Sequence, residues 1–357
     1  VKKVYLSQLK DGEPIPKDFY SKHGAVLIKK ETQMTAALRK KLLMNNIDCF
    51  YTEAAIFNPN LDDYPDISDE IVKEIEAIQK VYHNSFNEFS KQMDNIKNNH
   101  AFNKKVINEI ANDLVNCITQ HKQVYLGIEG IRKKDYYTYV HSIDVAIYAI
   151  IMGETLKLDK NYLRIIALAA LLHDIGKIRI EDNILTKPSK LTYEEMELMK
   201  KHTTFGYNIV KDELGYSKEM AKIAWEHHER LDGNGYPRGV KGNSIHLFTR
   251  IIAICDIYND ITSDRVYRKG VLPHRGIEYL MSIVDSHIDR ELTRKFVFNI
   301  AIYPIGTKVM LSNGEEGTVI DFQKGFPLRP IVKIKGKNIK RDLLKELTLF
   351  IKTVVEE

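Results

Sequence analysis

Cysteine is scarce in this chain of 357 residues: Cys49, Cys117 and Cys255 are widely separated and odd in number. That excludes a disulfide scaffold and a cysteine-based zinc module, and it suits a reducing compartment. Long apolar runs are also missing. The most apolar segment, Ile165 to Leu172, is far too short to cross a bilayer. The opening stretch VKKVYLSQLKDGEP has no apolar core of the signal-peptide kind. Nor is there a concentration of one charge, since the net charge is only +5 and no dense basic stripe points to nucleic acid. What remains is ordinary globular material, 44% hydrophobic and 28% charged, long enough for two or three domains. The expectation is a soluble, cytoplasmic, multidomain protein without internal repeats or low-complexity tracts.

The organisation along the chain is mainly α with small additions at both ends. AVLI (residues 25–28) and IDCFY (47–51) read as strands, and Met34, Leu38 and Leu42 between them recur four apart as a helical stripe. Residues 1–61 are therefore expected to form a small α+β domain. NPNLDDYPDISDE, from Asn58 to Glu70, is rich in Pro, Asn and Asp and reads as a linker, with Ser68 a helix-capping candidate. Residues 62–105 hold this linker and an amphipathic helix in which Ile71, Ile75, Ile78, Tyr82, Phe86, Phe89, Met93 and Ile96 step by three or four. That stripe over 68–97 suits packing on its own domain and a homodimer seam equally well. Residues 106–300 are helix-dominated and carry most of the histidines. Residues 301–357 read as a small β module with a terminal helix, because Asn313-Gly314 between two short apolar runs is a hairpin signal.

The chemistry concentrates in the helical region. The run LRIIALAALLHD is apolar on nearly all sides, hence a buried helix, and His173 with Asp174 ends it. A buried carboxylate is costly unless an ion pair, dense hydrogen bonding or a metal compensates it. Gly176 offers an end or bend to that helix. A second helix, SKEMAKIAWEHHERL, starts at the capping candidate Ser217, and His227 and His228 extend its buried face. Adjacent residues lie about 100° apart on a helix, so both can face one site only in a crowded interhelical core. His141, His202 and Asp256 occupy similar apolar settings. Each alone is more often a satisfied core or capping residue; their joint occurrence is what carries the argument. Five histidines and two aspartates give mixed nitrogen and oxygen ligation suited to first-row divalent metals. They are too many for one catalytic ion but enough for two sharing a carboxylate, an arrangement with ions roughly 3.5–4 Å apart that suits phosphoryl displacement.

At this point HD and IGK at 173–177, with HHERLDGNGYP at 227–237, resemble the HD-GYP family of cyclic dinucleotide phosphodiesterases. HSIDVA at 141, His202 and CDIYNDITSDRVYR at 255–268 extend the match over residues 106–300. YPIGTKVMLSNGEEG looks like the small β module that follows many such domains. The resemblance implies an HD-type helical phosphohydrolase fold and a bacterial second-messenger hydrolase. It implies one ion on His141, His173, Asp174 and Asp256, and another on Asp174, His202, His227 and His228, with Asp174 bridging. Iron is the family's usual metal and manganese the next choice. The resemblance implies that a metal-bridging hydroxide opens cyclic di-GMP, or cyclic GMP-AMP, to a linear dinucleotide, with GMP the further product open to it. Lys177, Arg265 and Arg268 fall at positions that contact substrate, and Arg suits a phosphodiester. Tyr236 in the GYP loop suits a substrate stack or loop packing, and that loop also offers a surface for protein partners.

Two departures stand out. Tyr137 occupies the place where some members carry a third-metal Glu, so two metals are expected. Asn259 replaces the Asp of the D-x-Y-D pattern, at a position assigned to substrate contact. The competing readings are a cyclic-dinucleotide-binding or protein-interaction module without useful turnover, and an RNA-directed hydrolase. The second would use Lys333, Lys335, Lys337, Lys340 and Arg341, but KIKGKNIKRD has no aromatic platform for bases, so a nucleic-acid partner is not expected.

Overall fold

In the computed structural model the described residues are 3–17, 19–20, 26–28, 30–44, 49–51, 69–98, 100–121, 137–187, 189–263, 270–299, 303, 305–321, 325–326 and 328–355. They fall into two units, residues 1–65 with 130–135 and residues 66–129 with 136–357.

The first unit is an antiparallel sheet with one helix. β1 (Lys3–Tyr5), β2 (Phe19–Tyr20), β3 (Val26–Ile28) and β4 (Cys49–Tyr51) lie in the order β1-β4-β2-β3, and α1 (Ala36–Met44) precedes β4. The strands expected near 25–28 and 47–51 are present, with the helix between them. β1 and β2 escaped the sequence reading because two or three residues carry no period. Leu6, Ile15, Phe19, Ile28, Met34, Leu42 and Phe50 form the core, with Phe19 and Phe50 stacked at 5.6 Å. The Asn58–Asp66 linker stretch and the Ser68 cap lie outside the described residues.

The second unit begins with α2 (Asp69–Lys97) and α3 (Lys104–Gln120), then α4 (Tyr137–Thr155) and α5 (Lys160–Leu172). The apolar stripe of α2 is buried at Ile78, Tyr82, Phe86, Phe89, Met93 and Ile96, and α2 packs on α3 and α4. From Ile78 to Ile96 the face offered for either role packs inside its own unit. α5 is capped by Asp159, whose carboxylate accepts from the Asn161 and Tyr162 amides, and its residues from Ile166 to Leu172 are buried. Being apolar nearly all round is what suits it to a central place between α3 and α4.

A tight turn, Ile175–Arg179, follows α5 and leads to α6 (Asp182–Leu185), α7 (Tyr193–Lys200) and α8 (His202–Asn208). α7 opens with a reciprocal capping box between Thr192 and Glu195. α9 (Lys218–Glu226) starts at Ser217 as expected, its hydroxyl accepting from the Met220 amide at 3.2 Å. α10 (Leu247–Thr262), α11 (Pro273–Ser282) and α12 (Arg290–Asn299) complete the helical part, and α10 packs along α4.

β5 (Lys308–Leu311), β6 (Glu316–Asp321), β7 (Ile331–Ile334), β8 (Lys340–Asp342) and β9 (Ile351–Val354) form an antiparallel sheet in the order β8-β7-β6-β5-β9. Gly314 takes a φ of 84° in the β5–β6 hairpin, where Asn313-Gly314 predicted a turn. The expected terminal helix is not formed: residues 343–350 make turns, and β9 pairs with β5 instead, burying Ile351. The basic run is largely paired within the module. Lys337 and Arg341 both reach Glu315, Arg341 also reaches Glu346, and Lys335 faces Glu316. Among the described residues no helix is long and apolar enough to cross a membrane.

Candidate metal centre

A histidine stands just past the end of each of three helices, α5, α7 and α9, and the second of them, His202, also opens α8. An α-helix leaves its last carbonyls without intrahelical donors. His173 follows α5 and its Nδ1 lies 2.7 Å from the Ala170 carbonyl. His202 follows α7, with Nδ1 2.7 Å from the Met199 carbonyl, and His227 follows α9, with Nδ1 3.0 Å from the Ala224 carbonyl. A carbonyl only accepts, so each Nδ1 carries the proton and each Nε2 presents a lone pair to the interior.

The Nε2 atoms surround Asp174. His202 and His227 lie 3.5 and 3.6 Å from Asp174 Oδ1 and 3.4 Å from each other. On the other side, His141 and His173 lie 3.6 and 3.5 Å from Asp174 Oδ2 and 3.2 Å apart. Asp256 Oδ1 approaches His141 Nε2 at 3.1 Å and His173 Nε2 at 3.8 Å. His228 completes a group with Asp174, His202 and His227, and its ring lies 4.1 Å from that of His227. α9 stops at Glu226, one residue earlier than continuous helix would require, so the adjacent histidines need not diverge as on a helix.

All seven residues predicted as ligands are therefore brought together. The donor set fits divalent cations: Asp174 Oδ1 is buried and has no hydrogen-bond partner. Its imidazole neighbours, His202 and His227, stand 3.5 and 3.6 Å away, too far for good hydrogen bonds. Ligands about 2.0–2.2 Å from a shared ion stand roughly 3–3.6 Å from one another.

The electrostatics separate the residues. Burial works against the Asp174 carboxylate, but Lys177, His173, His227 and His202 hold it well below the usual carboxylate range. Asp256 is likewise held low against its burial, by His141, whose Nε2 lies 3.1 Å away, and by His173 beyond it. Burial, with the charges of Lys177 and His227, pushes His202 down to about 3, and burial beside His227 and His202 puts His228 well below the ordinary imidazole value. For His141 burial is outweighed by the Asp256 hydrogen bond and by Asp260, Asp256 and Asp174, which push it up to about 9.

Lys177, on the turn after Asp174, donates to Asp174 Oδ2 at 2.5 Å while its side chain stays 19% exposed. Burial would discharge it, but Asp174, Asp260 and Asp256 raise its pKa and keep it cationic. Gly176 lets this turn lie against α8: a Cβ there would sit 2.8 Å from the His202 carbonyl carbon and closer still to its oxygen. The sequence suggested that Gly176 bends or ends a helix; its tighter constraint is this backbone contact.

The GYP loop folds back over His228. The Tyr236 ring stacks on the His228 imidazole at 4.8 Å and 31°, and Lys200 Nζ lies 5.5 Å from its centroid. Burial, then the Asp174, Asp256 and Asp260 charges, raise the phenol pKa, so Tyr236 remains a donor. Gly233 has a φ of 80°, as expected for a turn, whereas Gly235 is required by close approach, since a Cβ would lie 2.5 Å from Glu229 Cα.

Two substrate expectations change and others fall outside view. Asn259 is fully buried with both ends of its amide occupied, so it is no substrate contact; its oxygen lies 2.8 Å from His141 Nδ1 and its nitrogen 3.2 Å from Asp144. Tyr236 offers one ring face to His228, which makes loop packing part of its role. Arg265 and Arg268 lie outside the described residues, as does the side chain of Tyr137.

Sequence reasoning missed Asp144, Glu229 and Asp260. Asp144 stands one helical turn after His141, and Asp260 one turn after Asp256, with Oδ1 3.7 Å from His141 Nδ1. Those spacings were readable in HSIDVA and DIYND. Glu229, the acid of HHE, is buried and its carboxylate accepts from the Arg238, Gly239 and Val240 amides at 2.6–3.1 Å, fixing the exit of the loop.

Comparison with known proteins divides the chain at a similar place. Residues 105–292 match the family model described as the HD domain, and residues 308–357 match a KOW domain associated with the HD domain. A cyclic di-GMP phosphodiesterase of Pseudomonas aeruginosa is 38% identical over 228 residues, covering 63% of this chain and 55% of that protein. A 3′3′-cGAMP-specific phosphodiesterase of Vibrio cholerae is 38% identical over 161 residues, 44% of this chain and 34% of that protein. The chain thus matches between about a third and just over half the length of these relatives. Among solved structures, an HDG"Y"P protein from Bdellovibrio bacteriovorus shares the fold with a TM-score of 0.55 at 18% identity, over 83% of this chain and 97% of that one. The family resemblance and the helical fold class drawn from the HD, HHE and GYP strings are borne out.

Proposed function

This chain belongs to the HD domain family, and from that premise we propose that it is a metal-dependent phosphodiesterase opening a cyclic dinucleotide, cyclic di-GMP or cyclic GMP-AMP, to its linear form. The observation that carries the reading is the buried, unpartnered Asp174 Oδ1 ringed by imidazole Nε2 atoms whose protons are tied elsewhere. The names of the relatives support the substrate class.

In this reading His141, His173, Asp174 and Asp256 hold one divalent cation, and Asp174, His202, His227 and His228 hold another, with iron or manganese suited to the donor set. Such ions, when bound, supply Lewis acidity and lower the pKa of water into the neutral range. The hydrolysis forms a bond from water oxygen to phosphorus and breaks the bond from phosphorus to the 3′ oxygen, which leaves as a hydroxyl with a proton given up by the water. The protein's own part is largely positional. The Ala170, Met199 and Ala224 carbonyls hold three imidazoles in the tautomer a cation requires. Lys177, cationic and partly exposed beside Asp174, is placed to take a phosphate oxygen as negative charge grows on it. Tyr236, a protonated phenol at the mouth, offers a hydrogen bond and one ring edge to the incoming nucleotide.

The test is metal counting beside turnover in two variants. Wild type should bind two manganese equivalents; Asp174→Ala should lose both, since it removes the carboxylate common to both groups. Lys177→Ala should keep both and lose most of its turnover. Stoichiometric metal in Asp174→Ala would refute the bridging role, and full activity in Lys177→Ala would refute the phosphate role.

A further inference from the structure

His141 differs from the other histidines of the centre. Its Nδ1 faces a side-chain amide, not a main-chain carbonyl: Asn259 Oδ1 lies 2.8 Å away. An amide has a donor end and an acceptor end of nearly equal size, so something must decide which end meets the imidazole. If the NH₂ end faced Nδ1, the imidazole would have to accept there and carry its proton on Nε2, the atom that points at Asp174, Asp256 and His173.

The surroundings of Asn259 decide this. Its Nδ2 lies 3.2 Å from Asp144 Oδ2, and a carboxylate only accepts. On the other end, the Ser263 hydroxyl donates to Oδ1 at 3.2 Å. Asp144 is in turn held by the phenol of Tyr82 on α2, which donates to Oδ1 at 2.9 Å. Tyr82, Asp144, Asn259 and His141 are all buried, so water does not readily substitute for these partners. The chain runs from α2 through α4 to α10 and back to α4, entirely within the second unit.

We propose that Asp144, through Asn259, is a positioning residue that sets the donor state of His141, fixing the amide so that its oxygen faces Nδ1 and His141 Nε2 is left free for a cation. The inference rests on the reading of the site as a metal centre. It assigns Asn259 a purpose that a substrate role did not: the acceptor within hydrogen-bond reach of Nδ1 is a neutral amide ordered by the Asp144 carboxylate behind it, while the Asp260 carboxylate stands further off at 3.7 Å.

The test is a loss followed by a rescue. In Asp144→Ala the amide loses the partner that orients it. One of the two manganese equivalents should then weaken about 10–100-fold, the usual cost of removing an outer partner of a metal-binding histidine, while the other is unchanged. Adding Asn259→Asp to Asp144→Ala puts an acceptor-only group directly against Nδ1, so affinity should return to within a few-fold of wild type. A purely structural role for Asp144 predicts no such return. A readout independent of metal and turnover is the ring proton of His141 in the metal-free chain carrying ¹⁵N-histidine. Its Nδ1–H should exchange slowly in wild type, quickly in Asp144→Ala, and slowly again in the double variant. Were the chain inactive on nucleotides, this proton would still decide the inference. Wild-type manganese affinity in Asp144→Ala, or no recovery in the double variant, would overturn it. If Asp144→Ala does not fold, Asn259→Leu and the exchange Asn259→Asp with Asp144→Asn serve instead: the first should lose affinity, the second, which keeps an acceptor against Nδ1 and a donor behind it, should keep it, and equal losses would overturn the proposal.

Discussion

Replacing Gly176 by alanine probes the centre without touching a ligand. The added Cβ would lie 2.8 Å from the His202 carbonyl carbon, and nearer its oxygen and the Gly206 nitrogen, all backbone atoms that no rotamer change can move aside. Non-bonded contacts of a carbon are comfortable at about 3.5–4.0 Å and this Cβ would stand 1.9 Å from the His202 oxygen, so the turn bearing Asp174 and Lys177 must part from α8 by more than about 1 Å. Overpacking of this kind costs about 1–3 kcal/mol. The functional effect should be larger than the stability effect, because the displacement falls between Asp174 and His202, which stand 3.5 Å apart. A misplacement of about 1 Å can cost on the order of 10²-fold in rate. The assay is paired: thermal unfolding of the metal-free variant, and manganese binding and turnover of the loaded one. The expected result is a folded chain with weakened binding at the His202 side and turnover reduced about a hundredfold. Wild-type metal affinity and rate in Gly176→Ala would refute the claim that this close backbone contact sets the geometry of the site.

Other outcomes follow from the same structure. Stripped of metal, the chain should be most stable near pH 6.5, the ordinary value for both histidines concerned. His141, raised to about 9, contributes stability that is complete below 6.5 and is lost as pH climbs to 9; His202, lowered to about 3, contributes stability that is complete above 6.5 and is lost as pH falls to 3. Each limb is on the order of 3–5 kcal/mol, and melting curves across this range that rise steadily from pH 6.5 to 9 would contradict the assignment. Glu229→Ala should free the Arg238, Gly239 and Val240 amides, costing about 1–3 kcal/mol and opening the GYP loop to protease; an unchanged cleavage rate there would argue against the clamp. The paired lysines of the C-terminal sheet should give little retention on an RNA column at physiological salt, and strong, salt-sensitive retention would show that Glu315 and Glu316 do not neutralise them.

The ligands were legible because their chemistry forces unusual residues into apolar helices. His173-Asp174 closing LRIIALAALL and the HHE string after KIAW stand out against their surroundings, and Ser217 marked the start of α9 from its own side chain. Asn313-Gly314 announced its hairpin through the one residue type that tolerates its φ. What stayed hidden depends on distant partners. Asn259 and Asp144 are 115 positions apart in sequence, so the exchange of an amide for the family's carboxylate looked like a change at the substrate when it is a change behind a histidine. Glu229 was visible as part of a motif, but its partners are main-chain amides of a loop that no side-chain pattern foretells. LLKELTLF carried helical spacing, yet β5 needed a neighbour and took Ile351–Val354 as a strand, an outcome set by tertiary pairing and not by local preference.

The most direct measurement is an anaerobic turnover experiment. The purified chain, loaded with ferrous iron or manganese and its metal content verified, receives cyclic di-GMP and cyclic GMP-AMP together, and the products are separated by chromatography. The account predicts a linear dinucleotide that is absent from the Asp174→Ala control, with the unequal loss of the two rings giving the preference. Both rings intact in the presence of verified metal would contradict the claim that these five histidines and two aspartates form a hydrolytic centre for cyclic dinucleotides.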